Sequence, residues 1–315
     1  RKERRLDLVT IATPNSTHFD ISKAFLEAGF NVLCEKPMTM NVAQAENLYL
    51  TAKKTDKICA VNYGYSGFSL VREMKSMINE GLIGNIRLVK AEFAHGHHAD
   101  ARDDSNPRVR WRYDPTQAGE SAVMADCGVH ALHMACFVTG QEVTEVSADF
   151  VSTVKSRELE DDAMVNFRMS GGTIGRLWSS AIAIGRQHGL TIQVFGEGGG
   201  LSWTQENPNQ LYHMPLGGRA QVIERGDSAL SKIAQKASRI TIGHSEGMPL
   251  AFANIYLDLA DAIEARKAGV SKFEKPLYPD VEDGLRSVAA IHAAKASSLK
   301  KGQWSSAVPS IFETR

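Results

Sequence analysis

The sequence predicts an α/β protein in two parts. Residues 1–66 are expected to form a parallel sheet with its helices, and residues 67–315 an α+β part with a large open, mainly antiparallel sheet and closing helices. Three patterns carry that expectation. Short β-branched runs alternate with helix-period segments up to residue 65, strand-like runs recur from 86 to 197, and two long helical patterns follow.

In the first part, "LDLVTIAT" (6–13) suits a strand buried on both faces. Ile21, Ala24, Phe25 and Ala28 then recur at helical spacing, with Gly29 placed to end the helix. "NVLCEK" reads as a second strand. Asn41 and Gln44 resemble a capping box opening a helix through Val42, Ala45, Leu48, Tyr49 and Ala52. "KICAVNYGY" (57–65) reads as a third strand. Ligands of such sheets bind beyond the carboxyl ends of the strands. Thr13, Pro14, Asn15, Glu35, Lys36, Asn62 and Tyr63 fall there.

The second part opens with a helix over 70–78 and the turn "EGLIGN". Strand-like runs follow, among them "IRLVKAEFAH", "DAMVNFRMS" and "LTIQVFGE", and Gly171-Gly172 marks a hairpin. "GEGGG" (196–200) lies too late for a dinucleotide fingerprint and reads as a turn. The polar stretch 217–247 reads as an irregular, mobile loop, before closing helices near 248–268 and 280–300.

Composition narrows the functional classes. Thirty-six basic and thirty-six acidic side chains cancel, so no nucleic-acid or polyanion partner is expected. A small molecule is the expected partner. No apolar run reaches the about 18 residues of a membrane helix, so no membrane partner is expected either. Cys34, Cys59, Cys127 and Cys136 have neither metal spacing nor the density of a disulfide scaffold, which suggests reduced thiols and a cytoplasmic location.

Chemistry concentrates in two places. Lys36 follows a buried-type strand at the ligand-binding edge, where an ammonium is either a solvated surface group or a functional one. In "ADCGVHALH", a helix would stack Asp126 under His130, with His133 one turn on. A carboxylate beside an imidazole can orient it for proton transfer, although such pairs also serve as plain polar helix faces. Trp111 and Arg112 suit stacking and anion contact, or a loop anchor. "HGHHAD" (95–100), with His97, has no recognised metal spacing and reads as a polar strand end or substrate-facing loop; no metal is expected.

Taken in order, "TIATPNSTH", "EKP", the Trp-Arg pair, "ADCGVHALH" and the late "YPDVEDGLRSVAAIHAAKASSLKKGQ" resemble the glucose-fructose oxidoreductase, inositol dehydrogenase and MocA (Gfo/Idh/MocA) family over essentially the whole chain. That resemblance implies a Rossmann-type sheet carrying NAD or NADP, and an open sheet that binds substrate and builds a homodimer or homotetramer. It implies that Lys36, Asp126 and His130 are catalytic. Thr13, Pro14, Asn15, His18, Glu35, Lys36, Pro37, Asn62, Trp111 and Arg112 would border the cofactor. Tyr63, His97 and His133, together with the catalytic three, would meet a sugar or polyol. The implied activity is reversible hydride transfer at a secondary alcohol of a sugar or cyclitol; a sensor that keeps the fold without turnover is the alternative. His133 departs from the pattern, standing where an acid is common. No Gly-x-Gly-x-x-Gly turn precedes Leu6, so about 60 residues of strand and helix are expected to be missing, and with them the choice between NAD and NADP.

Overall fold

The computed structural model describes residues 6–270 and 275–313. Strands β1 (Leu8–Ile11), β2 (Asn31–Cys34) and β3 (Cys59–Val61) pair in parallel in the order β1-β2-β3. Helices α1 (His18–Glu27) and α2 (Val42–Thr55) make the crossovers. Asn41 caps α2 as its sequence signal predicts, but the reciprocal bond of a capping box goes to the residue before the cap instead of to the cap itself. Asn41 accepts a hydrogen bond from the Gln44 backbone N–H at 2.9 Å, and the Gln44 side chain returns to the Met40 N–H at 3.1 Å.

Helix α3 (Ser69–Asn79) leads to β4 (Ile86–Ala94), followed by two single-turn helices, α4 (Pro107–Arg110) and α5 (Pro115–Ala118). A π-helical turn over Met124–Gly128 runs into α6 (Val129–Thr139). Strands β5 (Val143–Val151), β6 (Asp162–Met169), β7 (Ile174–Ser180), β8 (Gly189–Gly196), β9 (Gly199–Thr204), β10 (Gln210–Pro215) and β11 (Gln221–Glu224) come next. With β4 and the short β12 (Ser305–Ser306) they form a nine-stranded sheet, β11-β10-β9-β8-β4-β7-β6-β5-β12. Only β4 and β7 are parallel neighbours.

The sheet is open because its strands are amphipathic. In β6, Ala163, Val165, Phe167 and Met169 are buried while Met164, Asn166 and Arg168 face out. Helices α6 and α9 (Val281–Leu299) cover the apolar face, α6 on β4 and α9 along β5. Helix α8 (Met248–Lys267) turns back to the first sheet, where Ile255, Leu259 and Ile263 pack on Leu33, Ile58 and Ala60.

The stretch 217–247 departs from the irregular, mobile loop expected of it. It contains β11 and α7 (Lys232–Ala237), and the buried Arg225 ties it together. That guanidinium donates to Asn209 Oδ1 at 2.7 Å, to the Ile240 carbonyl at 2.7 Å and to Glu246 Oε1 at 3.0 Å. A single buried cation with several acceptors orders the segment without leaving a periodic trace in the sequence.

Candidate active site

The loops after β1 and β2 face the π turn. Lys36 follows β2, its peptide bond to Pro37 is cis, and its side chain reaches across to Asp126. Nζ donates to the Asp126 backbone carbonyl at 2.7 Å and contacts Oδ1 as well. The other carboxylate oxygen, Oδ2, accepts from Arg112 Nε at 3.0 Å. One carboxylate therefore serves two cations. The Arg112 guanidinium also lies 4.7 Å from the centre of the Trp111 ring.

A cavity of about 180 Å³ opens beside this cluster, walled by Thr13, Asn15, Pro37, Trp111, Ser121 and Ala125 among others. Its walls are tied together. The His18 ring bridges the two loops, with Nδ1 2.9 Å from the Pro37 carbonyl and Nε2 2.9 Å from that of Thr13. Glu35 accepts from the Asn62 amide at 2.6 Å and from the Lys36 backbone N–H at 3.2 Å. Asn15 donates to the Ala118 carbonyl at 3.4 Å. Pro14 caps the short turn before α1 in extended conformation.

Electrostatics follow from this geometry. Burial in the cleft pushes the Asp126 carboxyl up, but Lys36 and Arg112 overrule it and hold it well below the usual carboxylate range. Burial, helped by the Lys36 charge, drives His130 well below an ordinary imidazole, so it is neutral at physiological pH. Its ring sits among Tyr65, at 4.8 Å, and Tyr63 and Phe93, at 5.8 and 6.0 Å. Nδ1 is fully buried and has no hydrogen-bond partner among the described residues, which leaves proton exchange to Nε2.

Two expectations need correction. Asp126 does not hold His130: no hydrogen bond joins them among the described residues, and the carboxylate points to Lys36 and Arg112. The π turn is the reason, because its wider winding breaks the register that an α-helix would give an i, i+4 pair. Of the predicted substrate residues only Lys36 and Asp126 line the cavity; His97 and His130 do not, and neither do Tyr63 and His133. The last two are buried, stacked with ring centroids 4.4 Å apart, and His133 borders a small separate recess with Cys136 and Asp283.

His97 is exposed at the end of β4, and beside it lies a residue that the sequence did not single out, His188. Their ring centroids are 5.7 Å apart, with the buried His95 5.6 Å from His188 and parallel to it within 3°. The charges of Lys36 and Asp126 bear on His188 as well. Only strand register brings these histidines together: Ala94 opposes Gly189 across β4 and β8, so the residues just beyond each strand end abut. Among the described residues, no group of three or more His, Cys, Asp or Glu side chains is placed to hold a metal ion.

The chain has relatives that share this architecture. A family profile described as "Oxidoreductase family, NAD-binding Rossmann fold" matches residues 1–63, and one described as "GFO/IDH/MocA C-terminal domain" matches residues 71–202. An uncharacterised oxidoreductase, YfiI, of Bacillus subtilis strain 168 is 34% identical over 308 residues, covering 96% of this chain and 78% of the relative. An inositol dehydrogenase homologue from Azotobacter vinelandii, solved in complex with NAD+, superposes with a TM-score of 0.90 at 37% identity, over 95% of this chain and 78% of that one. The same homologue with NADH and myo-inositol gives a TM-score of 0.87 at 36% identity, over the same shares. Two profiles in the expected order and a relative matched along most of its length leave one assignment: the chain belongs to the GFO/IDH/MocA oxidoreductases, whose first part is an NAD-binding Rossmann fold.

Proposed function

We propose that this oxidoreductase moves hydride reversibly between NAD or NADP and a secondary alcohol of a sugar or cyclitol. The observation that carries the reading is the contact of Lys36 with Asp126 at the carboxyl ends of parallel strands, with His130 buried one turn beyond Asp126. Relatives point the same way, since the Azotobacter homologue was solved with NADH and myo-inositol and a relative 26% identical over 228 residues is a levoglucosan dehydrogenase.

The cavity suits one end of a dinucleotide. At about 180 Å³ it is smaller than the roughly 300 Å³ at which sites for whole drug-sized ligands begin. The flat Trp111 ring and the Asn15 and Arg112 donors offer a planar amide ring both a face and polar partners. When bound, the nicotinamide supplies the hydride acceptor or donor.

The chain's own residues handle the proton and the charge. Lys36 donates to the substrate oxygen and stabilises the negative charge that grows there, and Asp126 keeps the ammonium aimed. His130, neutral and able to exchange a proton at Nε2, accepts the hydroxyl proton in the oxidative direction and returns it in the reductive one. His97 and His188, exposed beside this group, would meet the remaining hydroxyls. In this reading residues 1–66, joined by Trp111 and Arg112, serve the cofactor, and the rest of residues 67–315 serves substrate and association. The outer face of the large sheet, with Met164, Ile174, Tyr212 and Val222 exposed, would join copies into a homodimer or homotetramer.

A panel of sugars and inositols, assayed with NAD and NADP by nicotinamide absorbance, tests the reading. The expected result is turnover of at least one polyol. Cofactor binding with no turnover across the panel would replace the enzyme by a sensor of the same fold.

A further inference from the structure

The loop between β5 and β6, residues 152–161, does not line the cavity, yet it bonds to both of its sides. Asp161, wholly buried, folds the loop on itself: Oδ1 accepts from the Thr153 N–H at 3.0 Å and Oδ2 from the Val154 N–H at 3.0 Å. Two side chains leave this base in different directions. Arg157, buried, donates through Nε and Nη2 to Asp104 Oδ1 at 3.0 and 2.8 Å and through Nη2 to the His98 carbonyl at 2.7 Å. Its guanidinium lies 4.1 Å from the centre of the Tyr113 ring. Those partners bracket the segment that carries Trp111 and Arg112.

Glu160, also buried, reaches the other side. Its Oε1 accepts from the Ser121 hydroxyl, from the Ala122 N–H at 2.9 Å and from the Met124 N–H at 3.1 Å. Ser121 Oγ accepts in turn from the Ala125 N–H at 3.2 Å, and the Asp126 N–H donates to the Ala122 carbonyl at 2.8 Å. This is the segment that winds into the π turn and presents Asp126. Residues three apart in one loop thus hold, from behind, the two segments whose side chains meet across the cavity at Arg112 and Asp126.

We propose that Arg157 and Glu160 are positioning residues, and that the β5–β6 loop is a two-armed bracket fixing how Arg112 and Asp126 face each other. A purely structural role explains Glu160 poorly. Its Oε2 is buried without a hydrogen-bond partner among the described residues, and burial pushes its carboxyl up. A half-satisfied buried acid is a cost to folding, and such costs concentrate where geometry matters for function.

The proposal rests on reading the cavity as a cofactor site, so its test has one arm that needs no cofactor. Arg157→Lys and Glu160→Gln are made in the full chain, each alone and combined with Arg112→Ala. Lysine keeps the charge of Arg157 but not its fork, and glutamine keeps the shape of Glu160 but not its charge. By hydrogen-exchange mass spectrometry without cofactor, Arg157→Lys should speed exchange roughly tenfold over 98–113 and leave 121–128 alone, and Glu160→Gln should do the reverse. In NADH titrations followed by nicotinamide fluorescence, each should weaken binding by roughly fivefold. Once Arg112 is alanine, Arg157→Lys should add less than about twofold, because the side chain it acts through is gone. Should Arg157→Lys fail to fold, Asp104→Asn loosens the same arm from its more exposed end. Wild-type exchange in both segments, or a full additional loss in the Arg112→Ala background, overturns the bracket. The NADH arm is run on protein that carries the glycine turn expected before Leu6; if that protein binds no NADH, the cofactor reading fails and the exchange pattern alone decides the bracket.

Discussion

His133 lies flat against Tyr63, ring centroids 4.4 Å apart and planes within 18° of parallel, in a buried position. Burial pushes its imidazole down to about 4, and the same cause brings His95 to about 4 and His130 well below its ordinary value. All three folded values lie under the unfolded one, near 6.5. The stability tied to them is therefore fully present above pH about 6.5 and is lost as the pH falls towards about 4. Each contributes up to about 1.4 kcal/mol per pH unit within that window. Urea titrations between pH 7.5 and 4.5 should show stability falling steeply. His133→Phe, which keeps a ring on Tyr63, should reduce the slope by about one proton; an unchanged slope would show that His133 titrates alike in both states.

Lys36→Met should lower turnover by roughly a hundredfold or more while NADH affinity stays within a few fold, because the methionine keeps most of the stem and loses only the charged donor. Steady-state kinetics on the substrate found in the polyol panel, with a fluorescence titration of NADH, checks both halves. Near-native turnover in this variant would remove Lys36 from the chemistry.

The pH dependence of kcat/KM should carry an acid limb below pH 6.5, since burial first and Lys36 second hold His130 down. His130→Ala should abolish that limb together with most of the activity. Lys36→Met should shift what remains of it upward, as one of its two causes is gone. A limb that stays in place in both variants would assign the proton to another group.

Helix α8 approaches the turn after β3 so closely that a methyl group on Gly67 would lie 2.0 Å from the Ala251 carbonyl oxygen. Gly67→Ala must push backbone against backbone. An overpacked contact of this kind costs about 1–3 kcal/mol, and chemical denaturation should show a loss in that range. Native stability would mean that α8 shifts freely on the first sheet.

Much of this was legible in the sequence. β1 to β3 announce themselves as β-branched runs between helix-period segments, and the Asn41 cap and the alternation of β6 are local signals with local causes. The Lys36–Asp126 contact spans 90 positions, and no local period reports it. Asp126 and His130 could be found by spacing, but their mutual orientation could not, because nothing in "MADCG" declares a π turn. His188 became visible only through the register of β8 on β4, and the order of 217–247 only through the acceptors around Arg225.

The return of α8 to the first sheet also sets an order of assembly. Leu33, Ile58 and Ala60 receive Ile255, Leu259 and Ile263 from about 200 positions further along. A chain leaving the ribosome exposes that apolar face throughout the synthesis of the large sheet, and at about 5–20 residues per second the wait is roughly 10–40 seconds. Nascent chains arrested before α8 should therefore engage chaperones and yield readily to protease at the first sheet, and become resistant only once α8 is out.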